Sequence, residues 1–155
     1  MLTDTPVGLD EIIETFGSLD TPRFESRYVE PFALPYPLFY EGVKVTRARC
    51  HHLIIENFQQ AFEAIKAAGL QDQVKNYSGI YNARTIRGQT AHPSTHSWGI
   101  AIDLEAEKYP LGSTRRFPEE IVQIFQAAGF FTAEISGRAR TPCIFSSARG
   151  ISSPL

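Results

Sequence analysis

Cysteine is scarce in this sequence, and the two that are present, Cys50 and Cys143, lie far apart. Neither belongs to a Cys-x-x-Cys pair, so the chain has neither a disulfide framework nor a zinc knuckle. We predict that both cysteines are reduced. A chain of 155 residues buries a core large enough to fold without disulfides or metals, so any metal here is expected to serve function.

A strong charge of one sign and long apolar runs are also lacking. The formal net charge of -2 gives no electrostatic reason to expect nucleic acid or an anionic membrane as partner. No segment approaches the length of a membrane span. The opening Met-Leu-Thr-Asp-Thr-Pro does not resemble a secretory signal. We therefore expect a cytoplasmic protein, or one released by a route that needs no signal peptide.

Apolar periodicity and glycine stops predict a mixture of helices and strands. Helices are predicted over Leu9–Phe16, with Ile12, Ile13 and Phe16 on the apolar side, over His51–Ala68, and from Pro118 to Ala128. Strands are predicted at Val43–Thr46, Val74–Tyr77, Trp98–Leu104 and Cys143–Phe145, and an extended wrapping segment at Thr21–Tyr40. We expect one α+β domain over residues 1–155, with helices on a small antiparallel sheet and residues 1–45 as an N-terminal brace and wrapping segment.

The stretch from Pro93 to Asp103 contains the clearest candidate site. From Trp98 to Leu104 apolar residues alternate with small or acidic ones, which is typical of a strand with one buried face. His96 and Asp103 are candidates for a pair of metal ligands. They are an odd number of positions apart, so a regular strand would direct them to opposite faces. We therefore expect a turn or bulge between Ser97 and Gly99.

The pattern Ser94-x-His96-x-x-Gly99-x-Ala101-x-Asp103 resembles the signature of the D-alanyl-D-alanine and L-alanyl-D-glutamate carboxypeptidases. These are zinc enzymes that cut peptidoglycan peptides. Tyr81-Asn82-x-Arg84, Arg87-Gly88 and Gly129-Phe130 are similar to the branch found in phage endolysins. The resemblance implies the α+β fold shared by these peptidases and the hedgehog signalling domain.

The resemblance also implies roles for individual residues. His96 and Asp103 are zinc ligands by this resemblance, Arg84 is a substrate clamp, and Arg87 and Ser94 contribute to substrate binding. The chemistry suits these roles, because a catalytic zinc needs three protein ligands and an open position for water. An arginine beside the metal can hold a substrate carboxylate through two hydrogen bonds.

The C-terminal part of the family pattern is missing. The family has Asp or Glu, two residues, then His and Phe, where the acid is the general base and the histidine is the third zinc ligand. Here Thr141 stands at the base position and Ile144 at the ligand position, and neither side chain can do those tasks. The region from Thr132 to Gly137 also lacks the family's usual tryptophan and paired glycines.

Other residues are weaker candidates for the missing functions. Cys143 is a possible substitute zinc ligand, because a thiolate binds zinc well. His92 and Glu134 are further possible substitutes, as ligand and base respectively. Glu105 and Glu107 are also candidates for a substitute base, but both are expected to be solvated loop charges. His51 and His52 open a predicted helix, where histidines more often cap, pack or face solvent than bind metal.

The sequence therefore predicts a peptidoglycan-peptidase-like protein with a partly lost zinc site, in effect a pseudoenzyme. Its cleft is expected to bind a peptidoglycan peptide or another small peptide, and zinc binding is expected to be weak or absent. One alternative is an active zinc-dependent D,D- or L,D-carboxypeptidase or endopeptidase with a substitute third ligand. Another is a non-enzymatic scaffold for protein interactions.

Overall fold

The structure, a computed structural model, describes residues 1–82, 94–109, 117–132 and 144–149. Within them the chain mixes helices with small antiparallel sheets, which confirms the predicted α+β class. None of the helices in these ranges is long and apolar enough to cross a membrane.

The N-terminal helix closes one side of the core. Helix α1 (Gly8–Phe16) buries Ile12 and Phe16, which lie one turn apart, and Gly17 ends it with a positive φ of 95°. Ile13 is 36% exposed, so its predicted place on the buried side is wrong. The Trp98 indole Nε1 donates a hydrogen bond of 2.9 Å to the Gly17 carbonyl, which ties the end of this helix to the candidate site.

The proline-rich segment forms half of a long hairpin. Helix α2 (Phe24–Tyr28) leads into strand β1 (Val29–Tyr40), which pairs antiparallel with β2 (Val43–His51). The register shifts between Ala33 and Leu38, where prolines remove backbone donors from the ladder. The extended conformation predicted for Thr21–Tyr40 is thus found from Val29 onward. Strand β2 continues to His51, well beyond its predicted end at Thr46.

One long helix packs on this hairpin. After a 3₁₀ turn over His52–Ile54, helix α3 (Ile55–Ala67) buries Phe58, Phe62 and Ile65 on one face against β1. The predicted helix over His51–Ala68 is confirmed in its main part, while His51 itself ends strand β2. A further 3₁₀ turn, Gln71–Gln73, leads toward the second sheet.

The second sheet has four strands: β3 (Tyr77–Gly79), β4 (Ala101–Leu104), β5 (Phe131–Thr132) and β6 (Ile144–Ser146). All neighbours are antiparallel, in the order β3-β4-β6-β5. Helix α4 (Glu119–Ala127) precedes β5 and packs against it and α3. The strand predicted at Val74–Tyr77 is found only from Tyr77 onward, and the one predicted at Trp98–Leu104 only from Ala101. The strand predicted at Cys143–Phe145 is described from Ile144.

Strand β4 is held inside the core. Its residues Ala101, Ile102 and Leu104 are fully buried, whereas Asp103 remains partly exposed. The alternation from Trp98 to Leu104 predicted one buried face, with Ala101 on the other, open face; that placement of Ala101 is wrong, because the residue is fully buried. The Phe125 and Phe145 rings stack with centroids 4.3 Å apart, which packs α4 onto β6 beside β4.

Candidate functional site

A tight turn brings the two predicted metal ligands together. Thr95–Trp98 form a 3₁₀ turn, and the Ser94 hydroxyl accepts a 3.2 Å hydrogen bond from the His96 backbone N–H at its start. Gly99 ends the turn with φ 72°, a left-handed conformation that glycine adopts readily. The turn predicted between Ser97 and Gly99 is confirmed, whereas the predicted strand start at Trp98 is wrong.

Gly99 is also required by a close backbone contact. Its carbonyl accepts a 3.0 Å hydrogen bond from the His51 N–H, which joins the turn to the end of β2. A Cβ atom at position 99 would lie 2.9 Å from the His51 backbone nitrogen. The absence of a side chain therefore allows the turn to approach the hairpin and places His96 over the sheet.

His96 and Asp103 form the centre of the site. The His96 Nε2 atom lies 3.2 Å from Asp103 Oδ1, and the two side chains are 15% and 28% exposed. The other ring nitrogen, Nδ1, donates a 2.9 Å hydrogen bond to the Ile80 carbonyl. A backbone partner on one nitrogen fixes the ring orientation, as the hydrogen-bond partners of metal-binding histidines do. The predicted pair is thus in contact and reaches solvent.

Both His96 nitrogens face oxygen acceptors, and this affects its protonation. Burial acts to lower the pKa of His96, but the hydrogen bond to Asp103, its negative charge and the Ile80 carbonyl together raise the pKa above the usual value. A metal ion at Nε2 would have to displace the proton that this nitrogen shares with Asp103.

A groove of about 480 Å³ opens in front of this pair. One side is formed by the β3 region around Ile80 and Tyr81, and the opposite side by strand β2, including Arg47 and Arg49. These arginines are two residues apart, so they share one face of β2. Both are exposed and line the groove together with the Asp103 carboxylate.

Arg49 is held in place by two neighbours. Its guanidinium Nη2 lies 2.7 Å from Glu25 Oε1, and the guanidinium carbon lies 5.8 Å from the centre of the Tyr81 ring. Sequence reasoning missed both arginines because the predicted strand stopped at Thr46. The alternating Val-x-Val-x-Arg-x-Arg pattern was the available signal.

The position predicted for the third metal ligand is adjacent to Asp103 in the sheet. Asp103 and Ile144 are Cα partners in the β4–β6 pair. Such partners are about 5 Å apart, so the alignment that put the missing ligand at position 144 agrees with the sheet register. Isoleucine offers no donor atom.

The described residues therefore do not complete a catalytic zinc site. They supply two donors where a catalytic zinc has three protein ligands. The ranges that the structure describes contain no group of three His, Cys, Asp or Glu side chains able to hold a metal ion.

Several predicted site residues lie outside the described ranges. They are Arg84, Arg87, Thr141 and Cys143, together with His92 and Glu134. Their roles stay predictions. Ser94 is described, is 5% exposed and caps the 3₁₀ turn; its predicted part in substrate binding also stays a prediction.

The Glu105 side chain is buried, in contrast to the prediction. It is 2% exposed, so the prediction of a solvated charge is wrong; Glu107 is exposed as predicted. The Glu105 carboxylate accepts hydrogen bonds of 2.8 and 3.0 Å from the Lys75 and Asn76 backbone N–H groups. Burial opposes ionisation, but these hydrogen bonds and the nearby Lys108 ammonium outweigh it and hold the pKa of Glu105 below its usual range. The residue fixes the loop after β4 to the segment before β3.

His51 has a structural role next to the site, in agreement with the prediction that it caps or packs. Its Nδ1 accepts a hydrogen bond of 3.2 Å from the Leu53 N–H, and its Nε2 donates one of 2.9 Å to the Phe16 carbonyl. The side chain is fully buried, and burial lowers its pKa to about 4. The ring is therefore neutral near pH 7.

Comparisons with known proteins do not identify a family. A scan against models of protein families finds no match, and searches of curated proteins and of solved structures find none either. Any assignment of function consequently depends on the sequence motif and on the geometry around His96 and Asp103.

Proposed function

We propose that this chain is a catalytically impaired relative of the D-alanyl-D-alanine and L-alanyl-D-glutamate carboxypeptidases, and that it binds peptidoglycan peptides. The observation that carries the proposal is the contact between His96 Nε2 and Asp103 Oδ1 at the groove, with Nδ1 held by a backbone carbonyl. Two residues of the motif are in contact as a zinc site requires, although seven positions separate them.

The order of the elements is compatible with the proposed fold family. A turn carries the histidine, a central antiparallel strand carries the aspartate, and the neighbouring strand β6 carries the position of the missing ligand. The α+β class is what the hedgehog and D-alanyl-D-alanine peptidase fold requires.

Impairment follows from the chemistry of two positions. With Ile144 as register partner of Asp103, the zinc triad lacks one ligand, and a two-ligand site holds zinc weakly. Thr141 replaces the general base, and its hydroxyl cannot accept a proton from water near neutral pH as a carboxylate can.

Peptide binding does not need the metal. The exposed Arg47 guanidinium group lines the groove, where it can pair with a carboxylate of a peptidoglycan stem peptide, and Arg49, which is paired with Glu25, lies two residues further along β2. Arg84, predicted from the motif as a substrate clamp, would add a further cation.

The test is calorimetric titration with a stem peptide ending in D-alanyl-D-alanine, with zinc per chain and peptide cleavage measured on the same preparation. We expect binding, substoichiometric zinc and no turnover. Arg47→Ala should weaken binding roughly tenfold or more, since a charged hydrogen bond contributes about 1.5–3 kcal/mol. The matched control is Arg27→Ala on helix α2, an exposed arginine that does not line the groove.

Each other outcome has a definite meaning. Stoichiometric zinc with peptide cleavage would overturn the proposed impairment and favour an active peptidase with a substitute ligand. A chain that binds no stem peptide in either the wild-type or the control form would contradict peptide recognition and favour the interaction scaffold.

A further inference from the structure

The disagreement between the motif and the residues at the C-terminal end has an abrupt boundary. The family resemblance continues through Gly129-Phe130 and then fails at once, at the paired glycines near Thr132, at Thr141 and at Ile144. Gradual loss of an unused site would scatter substitutions over the whole motif. His96, Asp103 and the turn between them are instead intact.

We propose that the segment after Phe130 is translated in a reading frame displaced by one nucleotide from the frame that specified the metal site. The inference rests on the proposed ancestry. The amino-acid sequence is compatible with it, because each amino acid restricts the bases that encode it.

With one choice among the permitted codons, the segment Arg140-Thr141-Pro142-Cys143-Ile144-Phe145 encodes the missing motif when each codon is read one base earlier. Every threonine codon begins AC, so a G at the end of the Arg140 codon gives GAC, aspartate, at position 141. If the Cys143 codon is TGC, its last base C joins the AT that begins the Ile144 codon. The displaced codon is then CAT, which encodes histidine at position 144. If the Ile144 codon is ATT, its last base T joins the TT that begins the Phe145 codon. The displaced codon is then TTT, which encodes phenylalanine at position 145.

The two residues between the acid and the histidine also have sensible codons in the displaced frame. Pro142 joined to a C at the end of the Thr141 codon gives CCC, proline. If the Pro142 codon ends in A, this base joins the TG that begins the Cys143 codon and gives ATG, which encodes methionine. With these codons the displaced frame reads Asp-Pro-Met-His-Phe, with the spacing of Asp, two residues, His and Phe that the family requires.

The same displacement restores the paired glycines. If the Thr132 codon is ACG, its last base with the GC of Ala133 gives GGC, glycine. If the Ala133 codon is GCG, its last base with the GA of Glu134 gives GGA, a second glycine. The boundary falls at Phe130-Phe131, whose TTY-TTY codons form a pyrimidine run in which gain or loss of one base by slippage is easy.

The sheet register gives independent support for position 144. Asp103 pairs with residue 144 across β4 and β6, and Asp103 in turn contacts His96. The histidine that the displaced frame encodes with a TGC codon at Cys143 therefore falls at the position of β6 that is opposite Asp103. A random frame has no reason to encode a metal ligand there.

The first test reads the codons in the gene and its transcript. We expect the Arg140, Thr132 and Ala133 codons to end in G, Cys143 to be TGC and Ile144 to be ATT. Stepwise substitution leaves these synonymous choices free. TGT at Cys143, ATC or ATA at Ile144, or an Arg140 codon not ending in G would overturn the inference and leave the proposed peptide binding untouched.

The second test inserts one nucleotide at the Phe131 codon of the full-length gene and measures zinc per purified chain. We expect stoichiometric zinc in the restored chain, and its loss when codon 144 of that chain is changed to alanine. A folded restored chain without zinc would contradict the claim that this frame specified the metal site, even if the codons agree. It would also count against the proposed peptidase ancestry.

Discussion

Asp103 and Ile144 lie opposite one another in the antiparallel strands β4 and β6. Asp103 also lies 3.2 Å from His96, so the position at which the motif predicts a third ligand is next to this pair of side chains. On the proposed ancestry, the position of the lost ligand therefore lies on β6, the last strand of the described residues. The scaffold that positions the other two residues can be tested separately from the metal.

The turn at Gly99 should be sensitive to a single methyl group. Gly99→Ala places a Cβ 2.9 Å from the His51 backbone nitrogen, in a left-handed backbone conformation. Gly42→Ala is a matched control, since Gly42 has φ 80° and a Cβ added there would have nothing within 4 Å. The left-handed backbone costs roughly 1 kcal/mol in both variants.

The steric clash should add roughly 1–3 kcal/mol for Gly99→Ala alone. Urea unfolding of both variants measures the difference. Equal destabilisation of the two variants would show that the close approach of the turn to β2 is not required.

The buried Glu105 carboxylate should stabilise the loop after β4. Glu105→Gln retains one acceptor oxygen but removes the charge that receives the Lys75 and Asn76 N–H groups, so we expect a loss of roughly 1–3 kcal/mol. Glu107→Gln, at an exposed position in the same loop, should change stability by less than about 0.5 kcal/mol. Similar unfolding midpoints in urea for the two variants would contradict a structural role for Glu105.

His51 should make the fold sensitive to acid. Its folded-state pKa is about 4, below the ordinary value of 6.5. Between these values the unfolded chain binds a proton that the folded chain does not, so stability falls as the pH is lowered through this window. Across this pH window, protonation of His51 should lower the free energy of unfolding by on the order of 3 kcal/mol, since one pKa unit corresponds to about 1.4 kcal/mol.

The measurement is the free energy of unfolding at pH values from 7.5 to 4, for wild type, His51→Gln and the control His52→Gln. The slope of the free energy of unfolding against pH should become shallower only when His51 is replaced. An unchanged slope in His51→Gln would refute the assignment of this acid sensitivity to His51.

The sequence predicted the turn and the contact between His96 and Asp103 because their determinants are local. The odd spacing of His96 and Asp103 required a turn, and the glycine at position 99 is the residue that permits it. The α+β class and the main helices followed from apolar periodicity and from glycines at helix ends.

What the sequence did not predict depends on partners distant in the chain. Glu105 is buried because the backbone N–H groups of Lys75 and Asn76 donate hydrogen bonds to its carboxylate. No sequence pattern near Glu105 predicts these two donors. Arg47 and Arg49 reach the groove because β2 extends along β1 for nine residues, which depends on pairing rather than on local propensity.

Zinc content after restoring the two family residues tests the central claim most directly. Ile144→His with Thr141→Asp should raise zinc from substoichiometric to one per chain, because His96 and Asp103 are already in contact beside position 144. Adding His96→Ala to the double variant should remove the metal again, and a cooperative urea transition verifies that each variant is folded. A folded double variant that binds no more zinc than wild type would contradict the account.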